Sequence, residues 1–146
     1  MTLMQIVLLV FILLESSNVL ALYFAPGSRY ANAVGVFTAW EASKQYPEIH
    51  DFVKYLVYWV AGTKLIFLLL LAVIVIFADV TVQQLSLVAL IIATLSFYWR
   101  LFPLIKKMDR NGQIAPKNYS NVLGIMIFVF ILAFAIAVMA SLPLSG

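Results

Sequence analysis

The sequence predicts an all-α, polytopic membrane protein: four transmembrane helices in an up-down bundle, with a short amphipathic helix between the first and second spans. Two observations carry this. Apolar residues make up 65% of the 146 and charged residues only 10%, against roughly 45–50% and about 25% in soluble domains. The apolar residues also gather into four long runs, each able to cross a hydrocarbon core of about 30 Å at about 1.5 Å per helical residue. Four such spans leave no room for a soluble domain of ordinary size, so residues 1–146 read as a single transmembrane domain.

The first span covers about 2–24 and is interrupted by Glu15-Ser16-Ser17-Asn18. It is not expected to be a cleaved signal peptide, because it lacks a basic leading segment and carries a carboxylate where such a peptide is apolar. Residues 25–51 follow as the longest connection. Pro26-Gly27-Ser28 is turn chemistry, and Ser28 can cap a new helix on which Tyr30, Ala33, Val34, Phe37 and Trp40 form one apolar stripe. That stripe predicts the amphipathic helix, lying either at the interface with Tyr30 and Trp40 at headgroup level or packed on the ends of the bundle, and Pro47 breaks the pattern.

The second span covers about 52–78, with Lys54 at its mouth and Lys64 inside. Only Asp79 separates it from the third, about 80–102, which is free of charge from Val80 to Trp99. These two spans must form an antiparallel hairpin. A polar connection, 103–119, contains the turn signal Asn111-Gly112 and leads to an uncharged fourth span at about 120–142.

The net charge of +3 has a topological meaning. Eight of the nine Lys and Arg (Arg29, Lys44, Lys54, Arg100, Lys106, Lys107, Arg110 and Lys117) lie in the two long connections or at the span ends beside them. The positive-inside rule then makes both connections cytoplasmic and both termini extracytoplasmic. Charges placed this way describe orientation in a bilayer and not a nucleic-acid surface. On that side the sequon Asn118-Tyr119-Ser120 would be silent.

Glu15 and Lys64 are the ionisable residues deep in the spans. Counted from boundaries near Phe24 and Val53, they lie about 14 Å and about 17 Å from the cytoplasmic side. An isolated charge at that depth costs at least about 2.5–3.5 kcal/mol, so the two are expected to face one another. Asn18 shares a helical face with Glu15, and Gly62 and Ala61 beside Lys64 permit close approach of another backbone. Glu15, Asn18 and Lys64 are therefore the expected substrate- or ion-binding site.

Other features read more plainly. Arg100 ends a small-residue face (Ser86, Ala89, Ala93, Ser96) and is expected to contact headgroups or another anionic ligand. His50, beside Glu48 and Asp51, offers one imidazole, too little for a metal site. With no cysteine in the chain, neither a metal nor a cofactor is expected. Gly124, Ala133, Ala137 and Ser141 form a packing stripe on the fourth span. Tyr55, Tyr58, Trp59, Tyr98, Trp99 and Tyr119 read as an aromatic belt.

A carboxylate midway along the first of four short helices, Glu15, resembles the small multidrug resistance exporters. This chain departs from them in its length, its extended first connection and Lys64. Its length and large first loop are similar to those of the four-helix membrane enzymes of the eicosanoid and glutathione type, but their Arg, His and Asn signature on the second helix is missing. Neither family is assigned.

Three functions fit the sequence. The favoured one is a transporter or channel component for a proton, ion or small polar solute, using the Glu15/Lys64 site. The second is an accessory or assembly subunit in which the pair is structural. The third is a lipid-modifying membrane enzyme, for which catalysis would need a second positioned group beside Glu15. The expected partners are membrane lipids and either further copies of the chain or a larger membrane complex.

Overall fold

Thr2 opens the first helix by a reciprocal cap: its hydroxyl accepts from the Gln5 amide at 3.3 Å, and the Gln5 side chain accepts from the Thr2 amide at 3.0 Å. The computed structural model describes residues 1–142, and its long elements are all helical. They are α1 (Leu3–Phe24), α2 (Thr38–Ser43), α3 (Pro47–Phe77), α4 (Val80–Leu95), α5 (Phe97–Arg110) and α6 (Tyr119–Ser141). The described residues include four helices long and apolar enough to cross a membrane, α4 and α5 together supplying the third. Large apolar side chains such as Leu69, Leu70, Ile76, Leu85, Ile125 and Met139 point outwards, which suits hydrocarbon and not water.

α1 packs chiefly on α3 and also on α6, while α4 packs on α6. Met4, Leu8 and Phe11 meet Leu71, Val75, Leu87, Leu90, Phe134 and Ala137 in the main core. Phe11 sits edge-on to Phe130 and Phe134, with centroids 5.3 and 5.2 Å apart. At one end glutamines tie the helices together: the Gln5 and Gln83 amides reach backbone carbonyls of α3 and its cap, and Gln84 donates to the Ser141 hydroxyl at 2.9 Å. Asp79 caps α4 through the Val82 amide. Past this tight turn α3 and α4 touch little, so a cleft separates them.

The first connection does not form the expected single helix. Ala31 and Asn32 both adopt left-handed backbone, with φ of 52° and 56°, and one such residue is enough to stop a helix. The Ser28 hydroxyl accepts from Tyr30 in a local turn and caps nothing longer. A short 3₁₀ turn at Val34–Val36 and the six-residue α2 follow. Tyr30 is 84% exposed, but Trp40 is only 5% exposed, packed with Leu22, Ala33, Val57 and Ala61, and so it is core and not an interfacial anchor. Pro47, read as a break, is instead the first residue of α3, where its missing amide has no cost. α3 spans 31 residues, about 46 Å at the helical rise, which is longer than the roughly 30 Å of a hydrocarbon core.

The third span breaks at Ser96. Its amide is shared between the Ile92 and Ala93 carbonyls at 3.3 and 3.2 Å, and its hydroxyl donates to Ala93 at 2.6 Å. Such back-bonding bends helices. Beyond it, α5 is strongly amphipathic: Arg100, Lys106, Lys107 and Arg110 share a face opposite Phe97, Leu101, Ile105 and Met108. The amphipathic element of the chain is therefore α5, which the sequence reading divided between span and connection.

α6 begins at Asn118, itself left-handed and without a side-chain cap. Asp109 at the polar end of α5 does that work. Its carboxylate accepts from the Ser120 hydroxyl (2.7 Å), the Ser120 amide (2.9 Å) and the Asn118 amide (3.1 Å).

The two connections meet. Phe37 pairs with Ile114, Thr38 donates its amide to Gln113 at 3.0 Å, and Ala115 donates to Val36 at 2.9 Å. This bridge requires residues 26–28 and 34–36 to double back on one another, with Gly35 donating to Ser28 at 3.0 Å. A methyl group on Gly35 would lie 2.0 Å from the Gly27 carbonyl oxygen, against backbone that cannot swing aside. Gly35→Ala is expected to destabilise the fold by about 3 kcal/mol, the upper end for overpacking, read as a lowered thermal midpoint in detergent. An unchanged midpoint would mean that this loop is not held as described.

Candidate functional site

Glu15 lies where α1 faces α3, on the same face as Asn18. Lys64 extends from α3 to meet both. Its ammonium is 2.5 Å from a Glu15 carboxylate oxygen and donates to the Asn18 side-chain carbonyl at 2.5 Å. The structure thus brings Glu15, Asn18 and Lys64 together. Asn18 is 5% exposed, whereas the Lys64 and Glu15 side chains keep 31% and 18% of their surface open. The ammonium has a charged and a neutral acceptor, so it is compensated without being fully desolvated.

Asn18 also faces the first connection. Its amide donates to the Ala31 and Asn32 carbonyls at 2.6 and 3.0 Å. These are the two left-handed residues of the first connection, and such backbone costs an alanine roughly 1–2 kcal/mol, so the amide holds an intrinsically unfavourable turn in place. The Asn32 side-chain carbonyl in turn accepts from the Tyr119 hydroxyl at the start of α6. A continuous polar network therefore runs Glu15–Lys64–Asn18–Asn32–Tyr119, from α1 through α3 and the connection to α6.

This network borders a partly open cavity of about 570 Å³. Glu15, Asn32, Lys64, Thr94 and Tyr119 are its polar walls, and the remainder is apolar, including Phe11, Phe67, Leu90, Ala93 and Phe130. A second groove of about 300 Å³, between α3 and α4, shares Phe67, Leu90 and Ala93 with it. Ser86, Ala89 and Ala93, the small-residue face expected to lead to Arg100, line that groove and are not pressed against another helix. The result is an apolar cleft with a charged pair at one end.

Arg100 is not part of this arrangement. It is exposed, lies 5.5 Å from the Trp99 ring and lines no part of the cavity. His50 contacts the Ser43 hydroxyl at 2.8 Å and the Trp40 ring, which anchors α2 to α3. Among the described residues no group of three or more His, Cys, Asp or Glu could hold a metal ion. Gly124 lets the Phe102 ring approach and accepts from Tyr98, so Tyr98 and Tyr119 act as hydrogen-bonding links within the bundle.

Sequence reasoning missed Asn32 and Tyr119. Asparagine tolerates left-handed backbone, which was an available signal at Asn32. Tyr119 carries no local signal that separates it from a belt residue. No family model matches the chain, and neither the curated proteins nor the solved structures provide a match.

Removing one member of the ion pair leaves the other unpaired. Glu15→Gln or Lys64→Met alone is expected to lower stability, by less than the roughly 3–5 kcal/mol of a fully buried pair because both side chains are partly open. The double variant should recover part of that loss, read as thermal midpoints in detergent. Losses that simply add would show that the two residues are not coupled.

Proposed function

We propose that this is an integral membrane protein whose four spans run up and down, with both termini extracytoplasmic and both connections cytoplasmic. The topology is supported by the backbone hydrogen bonds between the connections and by the concentration of eight of the nine Lys and Arg in or beside them. A reporter fused to the C-terminus should be active only outside the cytoplasm; activity inside would reverse the orientation.

Within that topology the protein is a transporter or channel component, acting as an oligomer of this chain or within a larger membrane complex. Glu15 and Lys64 bind the moving solute, and Asn18 positions Lys64. The observation that carries this reading is that the ion pair borders a partly open cavity and is not enclosed by packing. A proton or ligand can therefore reach both charges. The walls are largely apolar beyond five polar side chains, so a bare ion has few ligands there. A proton, or a small solute with one polar group and an apolar body, fits better.

A second reading, an accessory subunit with a structural pair, draws on the bonds from Asn18 to Ala31 and Asn32, which give the same residues a role in holding the connection. The third, a lipid-modifying enzyme, draws on the apolar cleft between α3 and α4. Glu15 would have to be its acid or base, although that carboxylate is already bonded to Lys64.

Purified protein in liposomes, assayed for proton and small-solute flux, distinguishes these readings. Flux above that of empty liposomes, reduced at least about ten-fold by Glu15→Gln, is the expected result, since deleting a positioned charge commonly costs that much or more. Flux equal to empty liposomes, or unaffected by the substitution, would transfer the function to the accessory subunit.

A further inference from the structure

A separate cavity of about 410 Å³ lies where α5 ends and α6 begins, lined by Lys106, Asp109, Arg110, Lys117, Asn118 and Ser120 among others. Three cations thus face one carboxylate. That carboxylate is already taken up by three hydrogen bonds from Asn118 and Ser120. None of the three cations has an ion-pair partner: among the described residues the ion pairs are Lys44–Glu41 and Lys64–Glu15. Like charges converging on one space repel, and an anion between them would remove that cost.

A neighbouring cavity of about 530 Å³ shares Lys106 and Arg110 and adds Lys107, Asn111 and the apolar walls of Phe102 and Pro103. The Lys106 ammonium lies 5.5 Å from the Phe102 ring. The same two cations therefore stand between a polar chamber and an apolar shelf.

We propose that Lys106, Arg110 and Lys117 form a phosphate-binding site, and that the phosphate is the phosphodiester of an anionic lipid whose chains run along Phe102 and Pro103. The guanidinium of Arg110 can hold two phosphate oxygens in its planar fork, and the lysines act as point charges. A free phosphate would use the same three cations, but it would leave the apolar shelf unused. The shelf therefore favours the lipid. The site lies along α5 from Arg100, where the sequence led us to expect an anionic contact, and Arg100 lines neither cavity.

The test is lipid binding to the purified protein in detergent, followed by native mass spectrometry. The probes are phosphatidylglycerol, zwitterionic phosphatidylcholine and inorganic phosphate. Phosphatidylglycerol should bind in preference to phosphatidylcholine. The triple variant Lys106→Ala, Arg110→Ala, Lys117→Ala should weaken it on the order of 100-fold, whereas Arg29→Ala with Lys54→Ala should leave it unchanged. A matching thermal midpoint would show that the triple variant is folded; if it is not, Lys117→Gln alone should still weaken binding several-fold. Competition by millimolar inorganic phosphate, with no lipid preference, would identify a free anion as the occupant and overturn the lipid source. Equal binding of the two lipids without phosphate competition, or binding unchanged in the variants, would overturn the site itself.

Discussion

An ammonium group placed well inside an apolar helix must find an anion or remain a large energetic cost, and in this protein that need organises the bundle. Lys64 finds Glu15 on α1 and the side-chain carbonyl of Asn18 beside it. The two acceptors lie on one face of one helix, so the rotational setting of α1 against α3 is fixed as well as their distance. The closest packing in the fold follows that pair. α1 and α3 are the most extensively packed pair of helices, with Leu22, Val57 and Ala61 closing around them towards the connections and Phe11 and Leu71 towards the other end.

The same requirement reaches beyond the helices. Asn18 accepts from Lys64 on its carbonyl and donates through its amide to the backbone of Ala31 and Asn32, so a single side chain satisfies a cation and stabilises two residues in left-handed backbone. The turn it holds sends the chain back across Gly27 and Ser28, which brings Val36 and Thr38 to the second connection and Asn32 to Tyr119. Ion pair and left-handed turn are thus joined by hydrogen bonds, and the backbone that follows the turn carries Val36 and Thr38 to the bridge between the connections. A change at Asn18 would be felt at each of them.

What the sequence made legible was whatever the bilayer dictates directly. The four apolar helices follow from length and composition, and the meeting of Glu15 with Lys64 follows from matching two depths by the helical rise. What it concealed depends on tertiary context. The apolar spacing of Tyr30, Ala33, Val34, Phe37 and Trp40 is helical, yet Ala31 and Asn32 turn the chain before that pattern can be used, and Trp40 goes to the core. Pro47 reads equally well as an end or a beginning, and only the partner helix shows which. The bend at Ser96 comes from one hydroxyl competing for one carbonyl, a choice that no hydropathy pattern records. Tyr119 looked like a belt residue because its partner, Asn32, is distant in sequence and reached only through the turn.

The cleft follows from which helices are bonded to which. α3 is bound to α1 by the ion pair, and α4 rests on α6, so the hairpin they share is held together at its turn and drawn apart beyond it. Ser86, Ala89 and Ala93 form the kind of small-residue face that normally lets two helices approach closely, but here they face open space across from Phe67, Leu70 and Ile74. Open space between apolar walls forfeits dispersion contacts that a filling group would restore. A molecule entering from the side would gain those contacts without prying helices apart, and at the end of its path it would meet the Glu15–Lys64 pair. That conjunction of an apolar path and a partly open ion pair is what the proposed transport function draws on, whereas a pair that only set helix register would need no path beside it.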